Sequence, residues 1–314
     1  MTVGIKSIAA AAGVSPATVS RVLAGKSVRP AYRERVEKAM RGLDYRPNLA
    51  ARRLRAPEAG AVGIIVPDLA NPFFTAFVRT VEELAWREGL RVIICDSNED
   101  QVREATYRRF LREERVAGLI LAPVSPETQL DLGATPAVIF DRAIGNEPHD
   151  SVMLDNHGAA TSLTGALKQK GARTVLGLFG DGGVAADARA RGFADGSAAH
   201  GLDTRLASIP YEHKARRRAV EAALAEHEEV DAIVAVNSDI LLEAALLLRG
   251  RLGRALACFD DTRWLKLLDV EVLVVAQPVE EMAHAALAML VERMTDEAGE
   301  PRRLVFKAQI SKPM

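Results

Sequence analysis

Two sets of side chains in this sequence have types and spacing suited to chemistry. The first is compact. Ser15, Pro16, Ala17, Thr18, Ser20 and Arg21 fall within seven residues, and Pro16, Ala17, Thr18, Ser20 and Arg21 form the outer face of a predicted short helix. Hydroxyls and a guanidinium on one exposed face are the groups that meet phosphates and base edges. The second set is dispersed: Asp68, Asn71, Phe73 and Phe74; Asp141 and Arg142; Arg189; Asn237, Ser238 and Asp239; Asp260 and Asp261; and Gln277. Each of these groups follows a predicted β-strand. Rings beside carboxylates, amides and a guanidinium suit a polyol or another small polar ligand.

An enzymatic reading of Asp239, Asp260 and Asp261, as acid/base groups or Mg²⁺ ligands, finds no supporting motif. The sequence has no G-x-S-x-G, no P-loop and no complete G-x-G-x-x-G; "GLFGDGG" at 177–183 lacks that spacing. Its six histidines are scattered and none pairs with Cys at zinc spacing. No catalytic residue, metal or cofactor is expected. Plainer roles compete at several positions. Ser238 or Asp239 would cap the next helix as readily as touch a ligand. Asp261 reads as another cap, Phe74 as core, Asp68 as a contact between lobes or subunits, and the run at 216–218 as a solvated helix face.

The elements that must position these residues are of two kinds. Near the N-terminus, Ile5, Ile8, Ala9 and Ala12 recur at helical spacing, and Gly13 suits a left-handed turn. Ser15 is then an N-cap and Pro16 a first helical residue, with Val19, Val22 and Leu23 facing inward. Pro30 opens a third helix whose inner face is Val36, Ala39, Met40 and Leu43. Two short helices joined by a glycine turn and closed by a third form a helix-turn-helix head. From residue 61 the pattern changes to alternation. Strands are predicted at 61–66, 91–95, 118–121, 137–140, 174–179, 232–236, 255–259 and 272–276. Helices are predicted at 73–88, 102–114, 158–170, 187–199, 214–226 and 238–249. Such alternation builds doubly wound parallel sheets. It restarts after residue 158, giving two α/β lobes whose ligands bind beyond the carboxyl ends of the strands.

Charge separates the same two regions. Residues 1–56 hold 12 Lys and Arg against 3 acids, and the remaining chain holds 29 against 39, so a net charge of −1 conceals a basic head on an acidic body. Charge alone fits either an anionic polymer partner or a solvated basic surface; the helix-turn-helix pattern favours nucleic acid. With 48% hydrophobic and 26% charged residues, a disordered or collagen-like chain is excluded. No run of about 18 apolar residues and no secretory leader are evident. Cys95 and Cys258 lie in apolar runs, as buried thiols of a reducing compartment do, and a cytoplasmic location is expected. A periplasmic sugar-binding protein would share two lobes but need a leader and would lack the basic head.

"IKSIAAAAGVSPATVSRVLAG", "YRERVEKAMRGLDYRPNLAARRLR" and "GIIVPDLANPFF" occur in series. This series resembles the lactose-repressor/galactose-repressor (LacI/GalR) family of bacterial transcription regulators across essentially the whole chain. The resemblance implies an all-α helix-turn-helix head at 1–46, a hinge helix and linker at 47–60, and a periplasmic-binding-protein-like core at 61–314. Within that core it implies one lobe at about 61–157 and 278–304 and a second at about 158–277 and 305–314. It assigns base reading to Pro16, Ala17 and Arg21, with Ser15, Thr18 and Ser20 on phosphates. In the hinge it makes Leu54 a minor-groove wedge, beside Asn48 and Arg55. Arg189, in "DARARGF", becomes an effector-binding arginine. Asn71, Phe73, Asp141, Arg142, Tyr211, Ser238, Asp239, Asp260 and Gln277 complete the expected effector site. It implies a homodimer on double-stranded operator DNA, most members being repressors relieved by sugars, and no membrane partner. The alternative is a two-lobed small-molecule-binding protein without specific DNA regulation. No leucine-heptad tail follows Phe306, so a dimer is expected rather than a tetramer.

Overall fold

The computed structural model describes residues 5–23, 28–43, 60–145, 149–180, 183–210, 212–249, 254–295 and 299–313. Side chains are described for these except at Ile5, Lys6, Ser20, Leu23, Arg41 and His213. The chain divides into two compact units, Met1–Gly60 and Ala61–Met314.

In the first unit, α1 (Ile5–Ala12), α2 (Pro16–Leu23) and α3 (Pro30–Gly42) enclose Ile8, Ala9, Ala12, Val19, Val22 and Val36. Helix α1 stops because Gly13 adopts φ +59°, with Gly13 N–H donating to Ala10 O and Val14 N–H to Ala9 O. This paired closure is a Schellman turn, and glycine carries its left-handed residue without a Cβ penalty. Ser15 Oγ then accepts from Thr18 N–H at 3.1 Å, capping α2. Leu43, expected on the inner face of α3, is instead 36% exposed and lies one residue beyond the helix end at Gly42.

The second unit holds two six-stranded sheets. The first lobe contains β1 (Ala61–Val66), α4 (Pro72–Arg87), β2 (Arg91–Asp96), α5 (Gln101–Glu113), β3 (Gly118–Leu121), β4 (Ala137–Phe140) and β5 (Asp150–Leu154). The second contains α6 (Asn156–Gln169), β6 (Thr174–Gly180), α7 (Val184–His200), β7 (Asp203–Ile209), α8 (His213–Glu226), β8 (Ala232–Ala235), α9 (Ser238–Leu247), β9 (Ala255–Phe259), a 3₁₀ turn (Arg263–Leu267) and β10 (Val272–Ala276). The chain then returns to the first lobe for α10 (Val279–Met294) and β11 (Arg303–Phe306) and ends in the second with β12 (Gln309–Ser311). The strand orders are β11-β5-β4-β3-β1-β2 and β12-β10-β9-β8-β6-β7. Every pairing is parallel except that of β12 with β10.

Alternation along β1 shows why the first sheet is buried on both faces. Val62, Ile64 and Val66 pack with Phe74, Phe77 and Val81 of α4 and Met282 and Leu290 of α10. Ala61 and Ile65 pack with Leu111 of α5 and with Leu119 and Leu121. In the second lobe a tight crossing of α6 and α7 depends on two glycines: a Cβ on Gly192 would lie 2.2 Å from His157 O, and one on Gly196 2.3 Å from Thr164 Oγ1.

Five elements were not foreseen: β5, β7, the 3₁₀ turn, α10 and β11. Strand β7 lies at a sheet edge and is largely exposed, so its polar sequence lacks an apolar signature. The first lobe also extends further than expected at its last crossover: Val305 and Phe306 pair with Met153 and Leu154, placing them in the first sheet instead of the second lobe. The pairing of β11 with β5 continues for as long as β5 has backbone groups to satisfy. No helix among the described residues is long and apolar enough to cross a membrane.

Candidate functional site: an exposed helix face and a charged cleft

On the head, Ser15, Pro16, Ala17 and Arg21 are exposed and Thr18 is half-buried. Ser15 Oγ and Thr18 Oγ1 lie 3.0 Å apart, so these hydroxyls are mutually engaged while facing outward. The orientation of α2 is fixed from behind by Arg35 of α3. Its Nε donates to Ala12 O at 2.9 Å and its Nη2 to Gly13 O at 2.7 Å. One guanidinium thereby satisfies carbonyls that the end of α1 leaves without helical partners. Asn48, Leu54 and Arg55 lie outside the described residues, as does the side chain of Ser20.

In the core, an open cleft of about 600 Å³, mouth included, runs between the two lobes. Of the ten residues expected there, Asn71, Phe73, Asp141, Arg142, Arg189 and Asp260 line it. Arg189 projects from α7 and is held on three sides. Its Nε donates to Asn156 Oδ1 at 2.7 Å, its Nη1 donates to Val236 O at 2.8 Å, and its Cζ lies 4.1 Å from the Phe259 ring centroid. The Gly192–Gly196 approach brings α6, and with it Asn156, close enough to hold this arginine.

Asp260, directly after β9, is buried. Its Oδ1 accepts from Gln277 Nε2 at 2.5 Å. Burial pushes its carboxyl up to about 6, opposed by Arg189, the Ser238 N–H and Gln277, with Asp141 adding to the rise. Burial also raises Asp141, opposed by Arg189 and then Arg142, while Glu99 raises it further. Arg189 therefore acts electrostatically on both carboxyls. Asp141 Oδ1 is buried with no hydrogen-bond partner among the described residues, an acceptor that a bound hydroxyl would satisfy. Phe73 stacks on Phe140 with centroids 5.5 Å apart, and Phe140 stacks on Phe77 at 3.6 Å. The ring wall is thus rooted in the core.

The remaining expected residues stand elsewhere. Gln277 sits behind Asp260 as its hydrogen-bond donor. Ser238 is fully buried, and its backbone N–H, not its hydroxyl, serves Asp260. Asp239 faces Arg216 at 3.8 Å and does not line the cleft. Neither Ser238 nor Asp239 caps α9: Asn237 does, its Oδ1 accepting from Ile240 N–H at 2.9 Å. Thr262, not Asp261, occupies the cap position of the 3₁₀ turn. Asn71 caps α4 through Phe73 N–H at 2.9 Å as well as lining the cleft. Tyr211 lies outside the described residues.

Sequence reasoning missed Glu99, Asn156 and Arg216, and favoured core over ligand contact for Phe74. Phe74 lines the cleft, with Arg142 Cζ 6.0 Å from its ring centroid. Arg216, read as a solvated face, also lines the cleft, and its side chain is 12% exposed. Glu99 follows β2 as Asp68 follows β1, and that strand-end position was its available signal. Among the described residues only five non-glycine residues have left-handed backbone: Asn98 (51°), Glu99 (55°), Arg115 (53°), Asp141 (62°) and Asp260 (73°). Three of them carry cleft carboxylates. Such backbone is costly and clusters where function requires a particular aim.

A helix-turn-helix head preceding a two-lobed core with a polar cleft defines a ligand-responsive DNA-binding regulator. Sequence models agree with both parts. The family described as "Periplasmic binding proteins and sugar binding domain of LacI family" matches residues 59–292, and "Bacterial regulatory proteins, lacI family" matches residues 4–48. The chain belongs to the LacI family of transcription regulators. It is 28% identical to the HTH-type transcriptional regulator KdgR of Bacillus subtilis over 98% of this chain and 95% of that one. It superposes on the transcriptional regulator CelR in its cellobiose complex with a TM-score of 0.71 at 25% identity, covering 98% of each chain. With the lac repressor dimer bound to operator the TM-score is 0.82 at 20% identity, over 99% of this chain and 98% of that one, a likeness of fold.

Proposed function

We propose that this regulator is a repressor. A homodimer reads a pseudo-palindromic operator and releases it when a small sugar-like molecule occupies the inter-lobe cleft. The observation that carries the ligand reading is Arg189, fixed from three sides and set electrostatically against Asp141 and Asp260 in the same cleft. Fixed donors and acceptors of both signs beside the Phe73 wall suit a ring with hydroxyls on its edge and C–H groups on its face. The cleft binds its ligand without turning it over, and the protein works in the cytoplasm.

On DNA, Ser15 and Thr18 orient α2 against phosphates, Ala17 meets a thymine methyl, and Arg21 reads guanine through O6 and N7. Ser20 adds a phosphate contact and Pro16 shapes the approach. Asn48, Leu54 and Arg55 form the hinge, with Leu54 wedged into the minor groove. Domain limits of 1–46, 47–60 and 61–314 follow from this division. A second copy is favoured by exposed apolar side chains on the core: Leu242 and Leu246, one turn apart on α9, and Leu267, 82% exposed. A twofold protein implies half-sites about one helical turn apart.

The test is selection of bound DNA from a random pool, with the full chain and with residues 1–60 removed. A dyad-symmetric sequence enriched only by the full chain, and released by a neutral or charged sugar, supports the reading. Enrichment without dyad symmetry, or equal enrichment by both chains, defeats it.

A further inference from the structure

The cleft holds three arginines, which face protein partners to different degrees. Arg189 gives Nε and Nη1 to Asn156 and Val236. Arg216 faces Asp239. Arg142 is the most fully engaged: its Nη1 and Nη2 donate to Glu99 Oε2 and Oε1 at 2.8 and 2.6 Å, a two-pronged fork. Both partners lie on the cleft wall, with their side chains 12% and 26% exposed.

Glu99 is not there by default. Asn98 and Glu99 are consecutive left-handed residues. Their turn is pinned by Asn98 N–H on Asp96 Oδ1 at 2.9 Å and Glu99 N–H on Pro67 O at 2.8 Å. Two unfavourable backbone conformations in succession persist only where the surroundings impose them, and here they deliver a carboxylate to the face of Arg142. The lining then carries four acids, Asp68, Glu99, Asp141 and Asp260, against three arginines. The buried Asp141 Oδ1 still lacks a donor among the described residues. An incoming phosphate or carboxylate would meet Arg142 already forked by Glu99 and four acids against three arginines, whereas an incoming hydroxyl would meet in Asp141 Oδ1 an acceptor that needs it.

We infer that Glu99 sets the ligand class of this cleft: by clamping Arg142 it selects an uncharged, hydroxyl-rich molecule and rejects phosphorylated and carboxylated ones. This rests on the reading of the cleft as the effector site.

The experiment titrates the full-length protein and its Glu99→Gln variant by calorimetry with inorganic phosphate and with matched sugars: glucose, glucose 6-phosphate and gluconate, ribose and ribose 5-phosphate. In the unaltered protein no charged member should bind more tightly than its neutral parent. Glu99→Gln, which releases Arg142 without changing side-chain shape, should gain about tenfold in affinity for inorganic phosphate, and the double variant Glu99→Gln/Arg142→Gln should lose that gain. A charged sugar bound tenfold more tightly than its parent by the unaltered protein would overturn the inference. So would a Glu99→Gln protein with no gain for phosphate. The titration of the unaltered protein decides the matter even if the variants fail to fold. Operator affinity measured alongside separates the two readings. Phosphate gain with no sugar effect on operator binding would remove the effector reading and leave the role of Glu99 standing. Operator release by a neutral sugar with no phosphate gain would do the reverse.

Discussion

The head and the core place functional side chains in opposite ways. On the head they come from one uninterrupted stretch, Ser15 to Arg21, displayed on the outside of a helix whose inner face is Val19 and Val22. In the core they come from loops after separate strands in two lobes and from the helices that carry Phe73, Phe74, Arg189 and Arg216, and Asp141, Arg189 and Asp260 are buried. A contiguous exposed set is defined by helical period. A dispersed buried set is defined by how several chain segments are closed against one another. The head should therefore fail through loss of orientation or of a base contact, and the core through loss of a charge partner.

The largest expected effect is on the core. Arg189→Met removes a guanidinium and leaves Asn156 Oδ1 and Val236 O without their donor, so affinity for the releasing sugar should fall about 100-fold. The DNA sequence selected by the protein should stay the same; a changed sequence preference would break the division between the regions. Titration of Asp260 gives an intermediate effect. Its carboxyl goes from 3.8 to about 6 on folding, so between those values the folded protein holds the proton that the unfolded chain has lost. Stability from this group should fall as pH rises from about 4 to 6 and level off above. Asp260→Asn should flatten that part of the melting-temperature profile, by about 1–3 kcal/mol. An unaltered profile would mean that its burial is not costing stability. The smallest effect is on the head. Arg35→Met should weaken operator binding about tenfold by freeing the turn between α1 and α2. The salt dependence of binding should keep its slope, because this guanidinium is spent on Ala12 O and Gly13 O and not on phosphate. A slope reduced by about one would show instead that Arg35 neutralises a phosphate.

Much of the architecture was legible because its causes are local. The strands at 61–66, 118–121, 137–140, 255–259 and 272–276 have the bounds their apolar runs suggest, each buried along most of its length. The glycine turn and the Ser15 cap were readable for the same reason. Strand β7 was not, because an exposed edge strand is held by backbone pairing to β6 and needs no apolar pattern. Helix α9 illustrates the middle case: its start at Ser238 was evident, but three polar residues in a row left its cap ambiguous until Asn237 was seen to accept the Ile240 N–H.

Sequence by itself determined the two regions, the parallel alternation, the outward face of α2 and the strand ends as the places to look for ligand contacts. Each follows from hydrophobic period, turn chemistry and charge within a short window. The tertiary structure alone decided which strand-end side chains enter the cleft. It turned Arg216 inward and left Asp239 off the cleft wall, set Glu99 on Arg142 across 43 positions of chain, and put Asp141 and Asp260 in left-handed backbone. Backbone handedness at a non-glycine residue is imposed by loop closure. A carboxyl's proton affinity is set by burial and by charges brought in from distant elements. Neither cause lies in any local stretch of the sequence.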